Sequence, residues 1–458
     1  MVLTLADDAQ FAAAKRTLDE CGFNESGLAD PAGEDDPKAL LASLFLQGAS
    51  VPVERVRRLI PAEGFDALLE LGLFEEQGES IRAAGLLYPL AGLHIASDFP
   101  GRDLGGEDFV FPAISQQTWE YLSILPDDPC GSLLEIGTGS GAAALLASRY
   151  ADSVTATDIS PRCVLFAEFN RRLNAVDGVI FQQADVFDGL PPEATFDRIV
   201  AHPPYVPLTG KQEAYRHGGP DGEALLRRLL GGLADRLRPG GTCHLATLGL
   251  DTLEGPLERR LRGMLGAHEA EFDLLLVERE VLTPLEFVLP WKEGEDMTFE
   301  EAWGLSQALQ TAKARALVRC SILLERRATP GEPKTLRRKG GPATGAPEMA
   351  QELHRERPEI DWDQLLDASP EIIGEIELES ISLPTEDGWR ARTHILNAQY
   401  PFVFRTDCPA WAVELIGRID GARTFRELLD PVDVDQDEVE IFLECLLEAG
   451  VLNVPREG

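Results

Sequence analysis

The chain has no CxxC pair among its seven cysteines, Cys21, Cys130, Cys163, Cys243, Cys320, Cys408 and Cys445. Scattered thiols in odd number point to reduced side chains rather than a disulfide framework, and no zinc or other metal is expected. Positive charge is scarce: 42 basic residues face 78 acidic ones, a net charge of −36. Such a surface repels phosphate backbones and anionic lipid, so nucleic-acid partners are disfavoured. No apolar run is long enough to span a bilayer. The N-terminal stretch Met1-Val2-Leu3-Thr4-Leu5-Ala6-Asp7-Asp8 lacks a basic segment followed by a long apolar core. These absences predict a soluble, cytoplasmic protein with no membrane partner. What is present suffices for several domains: 458 residues with 44% apolar content.

One stretch organises the rest. Leu133-Leu134-Glu135-Ile136 reads as a buried strand. It runs into Gly137-Thr138-Gly139-Ser140-Gly141, and Ala142-Ala143-Ala144-Leu145-Leu146-Ala147 then reads as helix. A strand, a turn with almost no side chains and a helix start together form a place where a ligand can touch backbone. From Phe109 to Arg327 strand and helix alternate. Strands are expected at Ser132–Ile136, Ser153–Thr157, Val179–Gln183, Arg198–Ala201, Thr242–Thr247, Leu274–Arg279 and Val318–Arg326. That pattern is an open α/β sheet, parallel at its start. A long insertion, Val281 to Leu317, joins the last two strands and carries an amphipathic helix from Phe299 to Leu317.

The flanks differ. Residues 1–108 read as helices followed by a short hairpin turning at Gln77-Gly78, a helical or winged-helix pattern. Residues 328–358 are rich in Pro and Gly and read as a linker. It carries the one basic cluster, Lys334, Arg337, Arg338 and Lys339, which suits a solvated tether, or docking to an acidic partner or to the protein's own surface. Residues 359–458 read as a strand at Glu375–Ile381 and helices at Trp411–Ile419, Thr424–Leu429 and Val434–Ala449, with Thr424 and Asp435 as N-caps. Over about the last fifty residues this pattern resembles the winged module of PqqD-like peptide-binding proteins.

The chemistry-bearing residues sit at strand ends. Gly137-Thr138-Gly139-Ser140-Gly141-Ala142 has the form of a dinucleotide fingerprint, which by itself implies an adenosine-type cofactor without saying which. Asp158 closes the second strand, where a carboxylate can accept from both ribose hydroxyls or cap the helix that starts near Pro161. Asp185, after the third strand, can accept from an adenine amine while an apolar neighbour covers the ring. His202-Pro203-Pro204-Tyr205 ends the fourth strand. Two prolines donate no backbone hydrogen bond, so bare carbonyls remain there to hold an amine or amide N–H, and the Tyr205 ring can cover a planar group. Tyr215, Arg216 and His217 precede the loop Gly218-Gly219-Pro220-Asp221-Gly222 and suit a substrate mouth or a solvated loop. Trp119 and Tyr121 suit core or lid packing.

Taken together, these motifs resemble class I S-adenosylmethionine-dependent methyltransferases over Phe109–Arg327, and within them the HemK-type branch that methylates glutamine side chains of proteins. The resemblance implies a Rossmann-like seven-stranded α/β sheet flanked by the two smaller modules, with S-adenosylmethionine as cofactor and S-adenosylhomocysteine as product. It implies cofactor contacts at Glu135, Gly137, Thr138, Gly139, Gly141, Asp158, Ile159, Asp185, Val186 and His202. It places His202, Pro203, Pro204 and Tyr205 at the reacting group, and it allows Ser115, Gln116 and Gln117 to close over the methionine end. The branch has Asn-Pro-Pro-Tyr where this chain has His202-Pro203-Pro204-Tyr205. A histidine can accept at one ring nitrogen or act as a base, but lacks the two-sided pairing of an amide. Two roles stay open for it, contact with the target atom and mere filling of the strand end. The expected reaction is direct in-line N-methylation of a protein or peptide. Methylation of a natural-product small molecule, methylation of a nucleic-acid base, and cofactor binding without catalysis are the alternatives.

Overall fold

The computed structural model describes all residues except 1–2, 31–32, 34, 102–107, 208–217, 294–298, 330, 356–360, 387, 431, 433 and 455–458. It divides into two compact units, residues 1–274 with 281–333, and residues 275–280 with 334–458.

In the first unit, aliphatic runs between glycine-rich turns give the strands β1 (Cys130–Ile136), β2 (Ala151–Asp158), β3 (Val179–Gln183), β4 (Phe196–Ala201), β5 (Leu237–Thr252), β6 (Phe272–Leu282) and β7 (Ala314–Arg326). Residues 275–280 of β6 are counted with the second unit. The order across the sheet is β3-β2-β1-β4-β5-β7. The β1–β2, β2–β3, β1–β4 and β4–β5 pairs are parallel, and β7 runs antiparallel to β5. Because β1 has β2 on one side and β4 on the other, the chain reverses its direction of winding at β1. Ligands of open α/β sheets bind at such a point, beyond the strands' carboxyl ends.

Register decides what meets there. Ile136 pairs with Thr157 on one side and with Ala201 on the other, and Asp158 pairs with Gln183. The residues that follow, Gly137, Asp158 to Ile159, Ala184 to Asp185 and His202, therefore emerge along one edge.

The N-terminal part begins with helix Asp8–Glu20, capped by Asp7, and helix Pro37–Phe45, capped by Asp36. Helices Val53–Leu59 and Ala62–Glu70 follow. Strand Ser50–Pro52 lies beside Ser80–Ala83, which lies beside Phe74–Gln77. Helices Asp8–Glu20 and Ala62–Glu70 cross so closely that a Cβ on Gly64 would sit 1.9 Å from Thr17 Oγ1, so only glycine fits. A second hairpin, Leu86–Leu90 with Leu93–Ser97, was not expected from the sequence. It turns at Ala91 and Gly92, both with positive φ (48° and 79°), the backbone that favours tight hairpins. Helix Pro161–Leu173 joins this part to the sheet. Its Cys163, Phe166, Phe169 and Leu173 share one buried cluster with Phe11, Leu18, Phe23, Phe45 and Phe65.

Between β6 and β7 the expected single helix is two, Pro284–Glu293 and Phe299–Thr311. The second stops short of Leu317 because Ala314 already belongs to β7.

In the second unit, strands Ile376–Thr385, Gly388–Ala398 and Phe402–Cys408 form an antiparallel meander, and Thr335–Gly340 pairs with Phe402–Cys408. The stretch read as a tether thus carries that strand and helix Ala346–His354. Its cations bind the unit's own groups. Arg337 Nε donates to Glu278 at 2.6 Å, Arg338 Nε to Glu352 at 2.7 Å and Lys334 Nζ to the Leu353 carbonyl at 3.0 Å. Helices Ala410–Ile416, Phe425–Leu429 and Gln436–Glu448 pack on the meander around Phe425, Leu443 and Leu446. Thr424 and Asp435 cap the last two helices, and Thr424 with Glu427 forms a capping box.

Candidate active site

The glycine turn is set by backbone conformation. Gly137, Gly139 and Gly141 have φ of 76°, 54° and 83°, in the left-handed region. The amides of Gly137 and Thr138 both donate to the Thr157 carbonyl, at 2.8 and 2.9 Å, which locks the turn to β2. A Cβ added at Gly137 or Gly139 would meet nothing within 4 Å. At Gly141 it would strike Ala167 Cβ at 2.9 Å, Ala167 Cα at 3.0 Å and Phe181 Cζ at 3.1 Å. The first two glycines therefore face open space, and the third is packed against helix Pro161–Leu173 and β3. The N-cap residue Gly141 has no side chain with which to cap the helix Ala142–Ala147 that follows.

Carboxylates brace this turn from both sides. Glu135 is enclosed, and its oxygens accept from Thr138 Oγ1 at 2.6 Å, Ala144 N–H at 3.0 Å and Tyr121 OH at 3.3 Å. Burial pushes its carboxyl up to about 7, held from rising further by those three donors. Asp158 Oδ2 accepts from Gly139 N–H at 2.9 Å and Oδ1 from Ser160 N–H at 3.0 Å. Burial raises its pKa too, against those backbone donors. The cap of helix Pro161–Leu173 is Ser160, not Asp158, so Asp158 keeps its remaining lone pairs for the space in front of the turn. Ile159, next along, is 53% exposed there. Val186 is buried with φ of 58°. Asp185 Oδ1 accepts from Arg228 Nη1 at 2.8 Å, so one of its oxygens is already engaged.

At the tip of β4 the His202 ring lies between two tyrosines. Its centroid is 5.5 Å from that of Tyr121 and 5.9 Å from that of Tyr205. Burial is what sets the charge state of the ring, with no charged or hydrogen-bonded neighbour contributing among the described residues. Tyr205 packs on a cluster of Leu248, Leu250, Leu305, Leu309 and Leu317. Behind it, the glycine loop touches backbone to backbone. A Cβ on Gly222 would lie 2.4 Å from the Tyr205 carbonyl oxygen, and Gly218 N–H donates to the Val206 carbonyl at 3.0 Å. The loop thus holds the tip without side chains between them.

Tyr121 joins the two halves, since its hydroxyl reaches Glu135 and its ring reaches His202. Sequence reasoning gave it only a packing role. Its helix, Gln116–Ser123, is capped by Ser115 and tied to β7 by two 3.1 Å contacts from Arg319 to the Glu120 carboxylate. Ser115 Oγ and Gln116 Nε2 are spent within that helix, on Thr118 and Glu120. Tyr215, Arg216 and His217 lie outside the described residues.

Burial lowers the His202 pKa to about 4, from an ordinary 6.5. The unfolded chain takes up a proton between those values that the folded chain refuses. The contribution is therefore complete above about pH 6.5 and is lost progressively toward about pH 4. Its full size is of order 2–3 kcal/mol, less where water at the rim screens the ring. His202→Asn is expected to flatten that part of the acid-side loss, read by urea unfolding at neutral pH and near pH 4.5. His244, pushed to about 3 by burial and Arg198, retains its own share in the variant.

A family model described as "Methyltransferase small domain" matches residues 114–247, and one described as a domain of unknown function (DUF7059) matches residues 8–84. A release factor glutamine methyltransferase of Moorella thermoacetica is 36% identical over 210 residues, covering 42% of this chain and 71% of that protein. The release factor glutamine methyltransferase of Rhodopirellula baltica is 39% identical over 131 residues, 26% of this chain and 44% of that protein. The chain thus spans less than half of that relative's length. A solved methyltransferase of Pyrococcus furiosus is 22% identical with a TM-score of 0.33, over 52% of this chain and 91% of that one.

Proposed function

This chain belongs to the HemK-type glutamine methyltransferases, S-adenosylmethionine-dependent enzymes of class I, and from that premise we propose that it methylates a side-chain nitrogen of a protein. The observation that carries the reading is the β1–β4 register. Ile136 opposite Ala201 sets the glycine turn beside the His202 tip, and Tyr121 touches both.

The residues fit the cofactor. Gly137 and Gly139 leave a space that no side chain fills, and Asp158 offers carboxylate lone pairs at its rim. In this assignment Asp158 holds the ribose hydroxyls, Ile159 and Val186 flank the adenine, and the free Asp185 oxygen accepts from its amine. Glu135 acts from behind, fixing Thr138 and the first helical turn. Bound S-adenosylmethionine supplies a methyl group on a sulfonium, an electrophile that needs alignment more than activation.

The chain's part is to present the acceptor. Pro203 and Pro204 have no N–H, so the carbonyls near them are available to an incoming amide N–H. Neutral His202 accepts a second N–H at one ring nitrogen, which draws the nitrogen lone pair toward the methyl group. The same nitrogen can take the proton that must leave. Tyr205 covers the flat face of the amide. Because the ring is already neutral well below pH 6, the transfer rate is expected to show no histidine inflection between pH 6 and 8.

The test is incubation of the full chain with isotope-labelled S-adenosylmethionine and a bacterial release factor, followed by peptide fragmentation. The expected result is label on a glutamine side chain, increased in His202→Asn, which restores the two-sided amide of the branch. Label on no protein, in a sample that binds the cofactor, would remove the protein acceptor from the account.

A further inference from the structure

Helix Pro161–Leu173 lies against the open edge of strand Leu93–Ser97, and two of its side chains stand in for a neighbouring strand. At Asn174, just past the helix end, Oδ1 accepts from His94 N–H and Nδ2 donates to the His94 carbonyl, both at 2.7 Å. Asn170 repeats the pattern on Ala96, accepting at 2.8 Å and donating at 3.0 Å. The spacings agree. Residues four apart on a helix are separated by about 6 Å and residues two apart on a strand by about 6.7 Å. Both asparagines are buried.

Asn170 does one thing more. Its Nδ2 also donates to the Ser140 carbonyl at 2.8 Å, inside the glycine turn. The preceding residue, Gly139, is the one whose N–H Asp158 accepts. The peptide groups on either side of the Gly139–Ser140 link are thus pinned, one by Asp158 at the end of β2 and the other by Asn170 from the helix. The hairpin adds a contact of its own: Tyr88 OH accepts from Ala113 N–H at 2.5 Å and lies beside the Ser140 side chain. Asp98, at the hairpin's end, clamps Arg162 of the same helix through two contacts of 2.5 and 2.7 Å.

We propose that Asn170 is a positioning residue for the cofactor turn, coupling the N-terminal hairpin to the Ser140 peptide and holding that peptide in the ligand-competent orientation. The N-terminal part, including the stretch 8–84 matched by a domain of unknown function, then serves as the base of a brace for the turn. The inference deepens the cofactor reading above and rests on it.

Asn170→Ala and Asn174→Ala in the full chain test it. Each removes one clamp on the hairpin strand, but only the first removes a bond to the turn. Two quantities are read: hydrogen exchange of the amides of residues 138–145 without ligand, and affinity for S-adenosylhomocysteine by calorimetry. Asn170→Ala is expected to speed exchange across the turn about tenfold and to weaken binding about tenfold, equivalent to about 1.4 kcal/mol. Asn174→Ala is expected to lose comparable thermal stability while leaving both turn readouts within about twofold. Asn170→Asp keeps the acceptor for Ala96 but sets an oxygen against the Ser140 carbonyl, and should behave like Asn170→Ala. Unchanged exchange and affinity in Asn170→Ala, or equal shifts in Asn174→Ala, would overturn the proposal. Should the unmodified chain fail to bind S-adenosylhomocysteine, the cofactor reading falls, and the exchange comparison still decides the brace.

Discussion

Deletion of residues 1–97 is expected to leave the remaining chain without a cooperatively folded sheet. The reason is the shared core. Phe166, Phe169, Leu173 and Cys163 point from the sheet's helix into a cluster completed by Phe11, Leu18, Phe23, Leu41, Phe45 and Phe65. Phe11 packs edge-on to Phe169, with ring centroids 5.1 Å apart. Exposing four such side chains costs roughly 6–12 kcal/mol, at about 1.5–3 kcal/mol each. Whole domains are stable by only about 5–15 kcal/mol. The deletion also strands the amides of Asn170 and Asn174. Circular dichroism and thermal unfolding of the shortened chain give the answer. Insoluble or molten material is the expected outcome, and a sharp transition near that of the full chain would contradict the shared core.

Gly141→Val is expected to abolish cofactor binding. At φ of 83° a β-branched residue is strained by roughly 1–3 kcal/mol before any contact is counted. The added carbons then meet Ala167 backbone at 3.0 Å and Phe181 at 3.1 Å, and neither is the free end of a flexible side chain. The turn must move, taking Ser140 and Ala142 with it. A loss of at least about 100-fold in S-adenosylhomocysteine affinity follows, equivalent to about 2.7 kcal/mol. Gly139→Ala is the control. Its Cβ would meet nothing, so it carries only the cost of its φ of 54° and any overlap with the ligand itself. The two variants therefore separate packing behind the turn from space in front of it.

The parts legible in the sequence were those whose chemistry is local. Glycines at alternate positions after a buried strand, an acid at the next strand's end and a Pro-Pro-Tyr tip each carry their meaning within a few residues. Parallel pairing in register then brings such ends together. The hairpin Leu86–Leu90 with Leu93–Ser97 escaped because it is buried on both faces, so its residues do not alternate. Strand Gly388–Ala398 escaped for the opposite reason: most of it is exposed on both faces, and Trp389 stands 76% exposed. The strand at Thr335–Gly340 was hidden by the glycines and prolines around it, while what anchors it, the ion pair to Glu278, lies about sixty residues away. Asn170 and Asn174 left a trace that went unread. Two amides four apart on the face that carries Phe166, Phe169 and Leu173 have no reason to be buried unless they pair with backbone.

The central claim is that the turn at Gly137–Gly141 and the tip at His202–Tyr205 form one site. Calorimetric titration of S-adenosylhomocysteine, with an amide-shifted spectrum recorded alongside, tests it most directly. One equivalent should bind, shifting the resonances of Gly139, Asp158 and His202 together. Binding that moves Gly139 and Asp158 but leaves His202 and Tyr205 untouched, or no binding at all, would contradict it.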